Sequence, residues 1–175
     1  IQKLTKFLTY FDKCQKDILL DFDEASNNTR IIPLNNDFQI KFHKPTGSDK
    51  FRLGSQLAKY ESGHSTTLPD FNRVSTIIEL FGKNKSILFT SDAIRTNFKE
   101  LKLASSLNLG QAPHHGSQMN LYENFWAHVP KNENTPIVFS VGYNLRDKKK
   151  KKKTVRFFKE KGFDVFSTNC VFGVN

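Results

Sequence analysis

Apolar residues recur at Leu4, Phe7, Leu8, Phe11, Ile18 and Leu19, close to the 3.6-residue period of a helix. Residues 4–22 are therefore expected to form one amphipathic helix, interrupted by the polar patch at 13–17. Ser26, Asn27, Asn28 and Thr29 then read as a turn or linker, so residues 1–30 divide from the rest as a helical segment and its connection. Apolar runs at 31–34 and 38–42, joined by the polar Asn35-Asn36-Asp37, predict two strands across a tight bend. Pro45 argues against a helix directly afterwards; a short one is expected at 53–61. Residues 62–69 form a long polar connection of the kind that overhangs active sites.

From Asn72 onward the pattern is more regular. Residues 74–80 and 86–90 predict an antiparallel pair across the turn Gly82-Lys83-Asn84-Lys85. A helix at 94–103 would turn Ile94, Phe98 and Leu101 inward, and a strand at 107–111 follows. Leu121, Phe125 and Trp126 mark the inner face of a helix at 121–129, with His128 meeting the helix dipole and Pro130 as the stop. A strand at 136–141, a helix at 154–161 ended by Gly162 in a left-handed cap, and strands at 163–167 and 171–174 complete the chain. Strands alternating with helices predict an α/β architecture in which helices cover sheets, and 175 residues suit a single domain. The 17 phenylalanines are the obvious core material, more economically read as packing than as platforms for bases.

Charge adds a possible partner class. With 27 basic and 17 acidic residues the net charge is +10, which invites a polyanion such as nucleic acid, but six of those ten charges sit in the unbroken lysine run 148–153. The run reads either as a solvated loop or as a phosphate-binding arm including Lys148 and Lys149; both readings expect it to be mobile. Two cysteines, Cys14 and Cys170, provide no disulfide framework and suggest a reduced, cytoplasmic setting, with a single bridge left open. No apolar run is long enough to cross a bilayer and no secretory signal is visible.

The densest chemistry lies in Ala112-Pro113-His114-His115-Gly116-Ser117. Neutral imidazole is the commonest metal ligand, and Gly116 lets the backbone turn sharply or approach a ligand. Upstream, the strand at 86–90 delivers Ser91 and Asp92 to a loop held by a rigid scaffold; either side chain could instead cap a helix starting near Ala93. Among the other histidines, His43 ends a strand, where exposure explains it better than metal binding, and His64 in the polar connection is a candidate substrate contact.

In order, Asn72-Arg73-Val74-Ser75, the strand pair, Asp92 and the His114-His115-Gly116-Ser117 run resemble the later half of a metallo-β-lactamase-fold hydrolase. The subgroup most similar is the hydrolase domain of bacterial DNA-uptake competence proteins, with its N-x-x-S, L-x-T-G-D and H-H-G-S motifs. Ser140-Val141-Gly142-Tyr143-Asn144 and the stretch from Thr168 to Gly173 continue the likeness, which covers residues 31–175. It implies part of a layered αββα sandwich and two divalent metal ions, zinc or else manganese. Asp92 would bridge them and His114 or His115 would ligate, with Asp92 and His115 at the catalytic centre. Ser117 would contact substrate or satisfy its turn; Asn144 is a further substrate candidate. A metal-bound hydroxide would attack phosphorus or a carbonyl carbon.

Three departures qualify the resemblance. Ser91 stands where the family has glycine, the His-Pro after the Asn144 loop is missing, and the H-x-H-x-D-H motif is absent. The chain starts at Ile1 without an initiator methionine and is shorter than a complete domain of that family, so the expectation is a fragment or processed product whose triad lies elsewhere. Three functions follow: a phosphodiesterase or nuclease; a degenerate module that binds or scaffolds within a larger assembly; or a hydrolase of a small ester, lactam or cyclic nucleotide.

Overall fold

The computed structural model describes residues 30–43, 45–141 and 148–168, with only the backbone described at Arg30 and at 148–151. The expected helix at 4–22, the linker before Arg30, Asn144 and the strand at 171–174 lie outside the described residues. One mixed sheet runs in sequence order: β1 (Arg30–Pro33), β2 (Gln39–His43), β3 (Ile77–Phe81), β4 (Ser86–Phe89), β5 (Leu107–Gln111), β6 (Thr135–Phe139) and β7 (Phe163–Ser167). Neighbours from β1 to β4 are antiparallel; those from β4 to β7 are parallel. An α/β chain is thus what folds, as the alternating pattern predicts.

Local chemistry explains the elements. Asn35 Oδ1 accepts the N–H groups of Asp37 and Phe38 at 2.9 and 2.8 Å, closing the β1–β2 bend as an Asx turn. Helix α1 spans Gly47–Glu61 and starts well before the expected residue 53, because Thr46 caps it. Thr46 Oγ1 accepts the Asp49 N–H at 3.2 Å and donates to Asp49 Oδ2 at 2.7 Å. Helix α2 spans Glu123–His128, and His128 Nδ1 donates to the Asn124 carbonyl at 2.8 Å.

Two expectations are corrected. Residues 94–103 are not a helix: a 3₁₀ turn covers Arg95–Phe98 and irregular chain follows. Thr96, Asn97 and Phe98 are all weaker helix formers than leucine or lysine, and Asn97 ties the short turn down locally, accepting from the Ile94 N–H at 2.8 Å at its start and donating to the Arg73 carbonyl at 3.0 Å. The lysine run is not a loop either, since helix α3 spans Lys148–Glu160. Lysine is a good helix former, and the buried Thr154 and Phe158 anchor the helix to the core.

That core lies on one side of the sheet. Trp126, fully buried, meets Phe125 and Phe158 with centroids 5.1 Å away, and Phe98 and Phe163 at 5.9 and 6.2 Å. Edge-on packing dominates, as aromatic quadrupoles favour. Ile77, Leu88, Ile137 and Val165 supply the sheet's contribution to the same layer.

The opposite side is apolar too. Register places Ile40 beside Leu80, Ile78 beside Phe89, Leu80 beside Ile87, Ile87 beside Leu109, and Val138 beside Phe166 on that side. Phe89 and Phe166 remain 47% and 53% exposed, and the others are half-buried. A sheet apolar on both sides ordinarily lies between two layers.

Candidate functional site

Strands β4 and β5 are parallel, so their carboxyl ends deliver the following loops to one edge of the sheet. This is where open α/β sheets usually bind ligands. Ser91 and Asp92 follow β4; the turn Pro113–Gly116 follows β5. The His114 N–H donates to the Ser91 carbonyl at 3.0 Å, joining the two loops. As a result His115 Nε2 lies 3.2 Å from Asp92 Oδ1, with the two side chains 54% and 42% exposed. The carboxylate and imidazole singled out in the sequence do come together.

The proton count at this contact is informative. His115 Nδ1 lies 2.6 Å from the Ser140 carbonyl, which can only accept, so Nδ1 carries the hydrogen. A neutral His115 therefore presents a lone pair at Nε2, facing the lone pairs of Asp92 Oδ1. The two groups attract only through a shared cation, either a proton on Nε2 or a metal ion. A backbone carbonyl fixing the distal ring nitrogen is the usual support for a metal-binding histidine.

His114 has a less determined role. Its Nδ1 lies 3.4 Å from both the Asn72 side-chain nitrogen and the Asp92 carbonyl. Donation to the carbonyl leaves Nε2 free to ligate, whereas accepting from Asn72 places the hydrogen on Nε2. Turning the Asn72 amide over would make both neighbours acceptors and favour the first arrangement.

The backbone here is strained. Ser91, His114 and His115 have φ values of 47°, 46° and 55°, a left-handed region costing about 1–2 kcal/mol per residue without glycine. Gly116 follows at φ 80°. A Cβ there would lie 2.2 Å from a ring carbon of the buried Phe139, so glycine is required twice over. Such strain concentrates at functional sites.

The other candidates fare differently. The Ser117 N–H closes the histidine turn onto the His114 carbonyl at 3.0 Å, a structural role for its backbone. His64, exposed on the loop after α1, bonds to Ser62 Oγ at 2.8 Å. Lys148 and Lys149 belong to α3, which packs against the turns at Pro113–Gly116 and Gln118–Asn120. Neither Asp92 nor Ser91 caps a helix through its side chain: Asn97 receives the Ile94 N–H instead. His43 is not an exposed strand end but 10% exposed and 3.0 Å from the fully buried Glu79.

Burial acts most strongly on the Glu79 carboxyl and would raise its pKa. Hydrogen bonds from His43, Ser86 and the Ala104 N–H, with the attraction of His43, together outweigh that and hold it below the ordinary value of 4.5. Among the described residues no group of three or more His, Cys, Asp or Glu converges as a metal cage.

Asn72, Gln111 and Ser140 belong to the site although none was singled out as a contact. Asn72 and Ser140 stand inside the motifs quoted above, and Gln111 immediately precedes the histidine motif, so proximity to those motifs was the available signal. Comparison with family models, curated proteins and solved structures finds no match for this chain.

Proposed function

We propose that this chain is part of a metal-dependent hydrolase of metallo-β-lactamase-like fold, most consistent with a phosphodiesterase or nuclease. The observation that carries this reading is the pair of lone-pair donors, His115 Nε2 and Asp92 Oδ1, 3.2 Å apart with the other ring nitrogen tied to Ser140. Two ligands of one tetrahedral zinc ion stand about 3.3 Å apart, given bond lengths of about 2.0–2.2 Å. The donor set of Asp92 and His115 suits zinc or manganese. Two ions require ligands beyond these.

Bound there, a divalent ion supplies Lewis acidity, acidifying water and neutralising charge that builds on a substrate oxygen. The chain's own residues would hold and orient it: Asp92 as an anionic ligand, His115 as a fixed neutral one. Exposed Lys152, Lys153 and Lys159 on α3, the helix that packs against the histidine turn, support a nucleic-acid substrate. The second apolar side of the sheet supports a sandwich with another sheet upon it.

The second reading is a degenerate module that binds within a larger assembly, favoured by the absence of a third converging ligand among the described residues. Metal analysis of the full-length protein separates the two. About two tightly held ions per chain support the enzyme, and none supports the module. Incubation with single-stranded and duplex DNA, RNA, cyclic nucleotides and small esters, with and without manganese, then assigns the substrate class.

A further inference from the structure

The side-chain oxygen of Gln111 accepts two successive backbone N–H groups, Thr90 at 3.0 Å and Ser91 at 3.1 Å. Thr90 Oγ1 returns a bond to the Gln111 carbonyl at 3.1 Å. Register pairs Leu88 with Gly110, so Gln111 follows that pair directly and continues the cross-strand bonding with a side chain. What it grips is the segment that must hold Ser91 at φ 47°, a conformation serine does not favour. The next residue is Asp92, and the Ser91 carbonyl receives the His114 N–H.

We propose that Gln111 is the positioning residue of this site: its amide oxygen holds Ser91 left-handed and thereby sets Asp92 against His115. The inference rests on the reading above only in taking that pair as the functional site. Without the acceptor, two N–H groups lose their partner and Ser91 is free to relax to negative φ. Asp92 would then swing away from His115.

The test uses the full chain with Gln111→Met, similar in shape but lacking the acceptor, and Gln111→Glu, which keeps one. Three quantities are read: amide exchange at Thr90 and Ser91, nuclear Overhauser contacts between the His115 ring and the Asp92 Cβ protons, and zinc affinity. Gln111→Met should speed exchange by about tenfold or more, lose the Asp92–His115 contacts and weaken zinc binding by about 10–100-fold. Gln111→Glu should restore the contacts. Unchanged exchange in Gln111→Met would overturn the proposal, and so would faster exchange with the contacts intact, which marks a brace of the loop alone. If the unsubstituted chain binds no zinc, the hydrolase reading fails, while exchange and contacts still decide the role of Gln111.

Discussion

Nε2 of His43 lies 3.0 Å from Oε2 of Glu79, a carboxylate without exposed surface that also accepts from Ser86 Oγ at 2.7 Å and the Ala104 N–H at 2.8 Å. One side chain thereby ties β2, β3, β4 and the loop entering β5 together. Because folding lowers the Glu79 pKa, its contribution is complete above the ordinary value of 4.5 and is lost as pH falls through the lower folded value.

Glu79→Gln should therefore flatten the dependence of stability on pH just below the ordinary value of 4.5, while Glu79→Ala should cost about 3 kcal/mol at neutral pH by leaving buried partners unsatisfied. Urea unfolding from about pH 7 to about pH 3 measures both. Parallel acid limbs for the parent and Glu79→Gln would show that another carboxylate is responsible.

Asp92→Ala should abolish divalent-ion binding and any hydrolysis while changing stability by no more than about 0.5 kcal/mol, since the side chain is 42% exposed. Isothermal titration with zinc and a thermal melt suffice. Turnover at the parental rate with normal metal content would remove Asp92 from its assigned role.

The two histidines should separate. Replacing His115, fixed by Ser140 and facing Asp92, with alanine is expected to cost more than about 100-fold in zinc affinity, since outer-shell partners alone contribute about 10–100-fold. His114→Ala should lose less, since no third His, Cys, Asp or Glu converges with Asp92 and His115 among the described residues. Equal affinity for His115→Ala and the parent is the result that would falsify the pair as a metal site.

Gly116→Ala should destabilise by about 2–4 kcal/mol, because the new Cβ meets the Phe139 ring at 2.2 Å and alanine resists φ 80°. A shift in melting temperature of less than about 2 °C would mean that Phe139 can move aside.

The regular elements were legible because their patterns are short and unambiguous. The strands Leu107–Gln111 and Phe163–Ser167 have the expected bounds, since Leu107 and Leu109, like Phe163 and Val165, flank a polar residue at the two-residue period of a strand. Apolar spacing misled at 94–103: Leu101 and Leu103 do pack against the core, but from irregular chain. The start of α1 was readable in Thr46 and Asp49, a capping pair overshadowed by Pro45. Within the candidate site, sequence alone could propose that Asp92 and a histidine meet. Which histidine does so depends on two left-handed residues and on the Ser140 carbonyl, and neither leaves a mark in a residue string.

The partial exposure of Phe89 and Phe166 on the second apolar side of the sheet carries a practical consequence. Phe89 stands on it shortly before Asp92, so whatever shields that ring from water also governs how wet the neighbouring loop becomes. Expressed alone, the polypeptide should stick to itself or to surfactant through this greasy plane, and its recovery should improve when Phe89 and Phe166 are made polar.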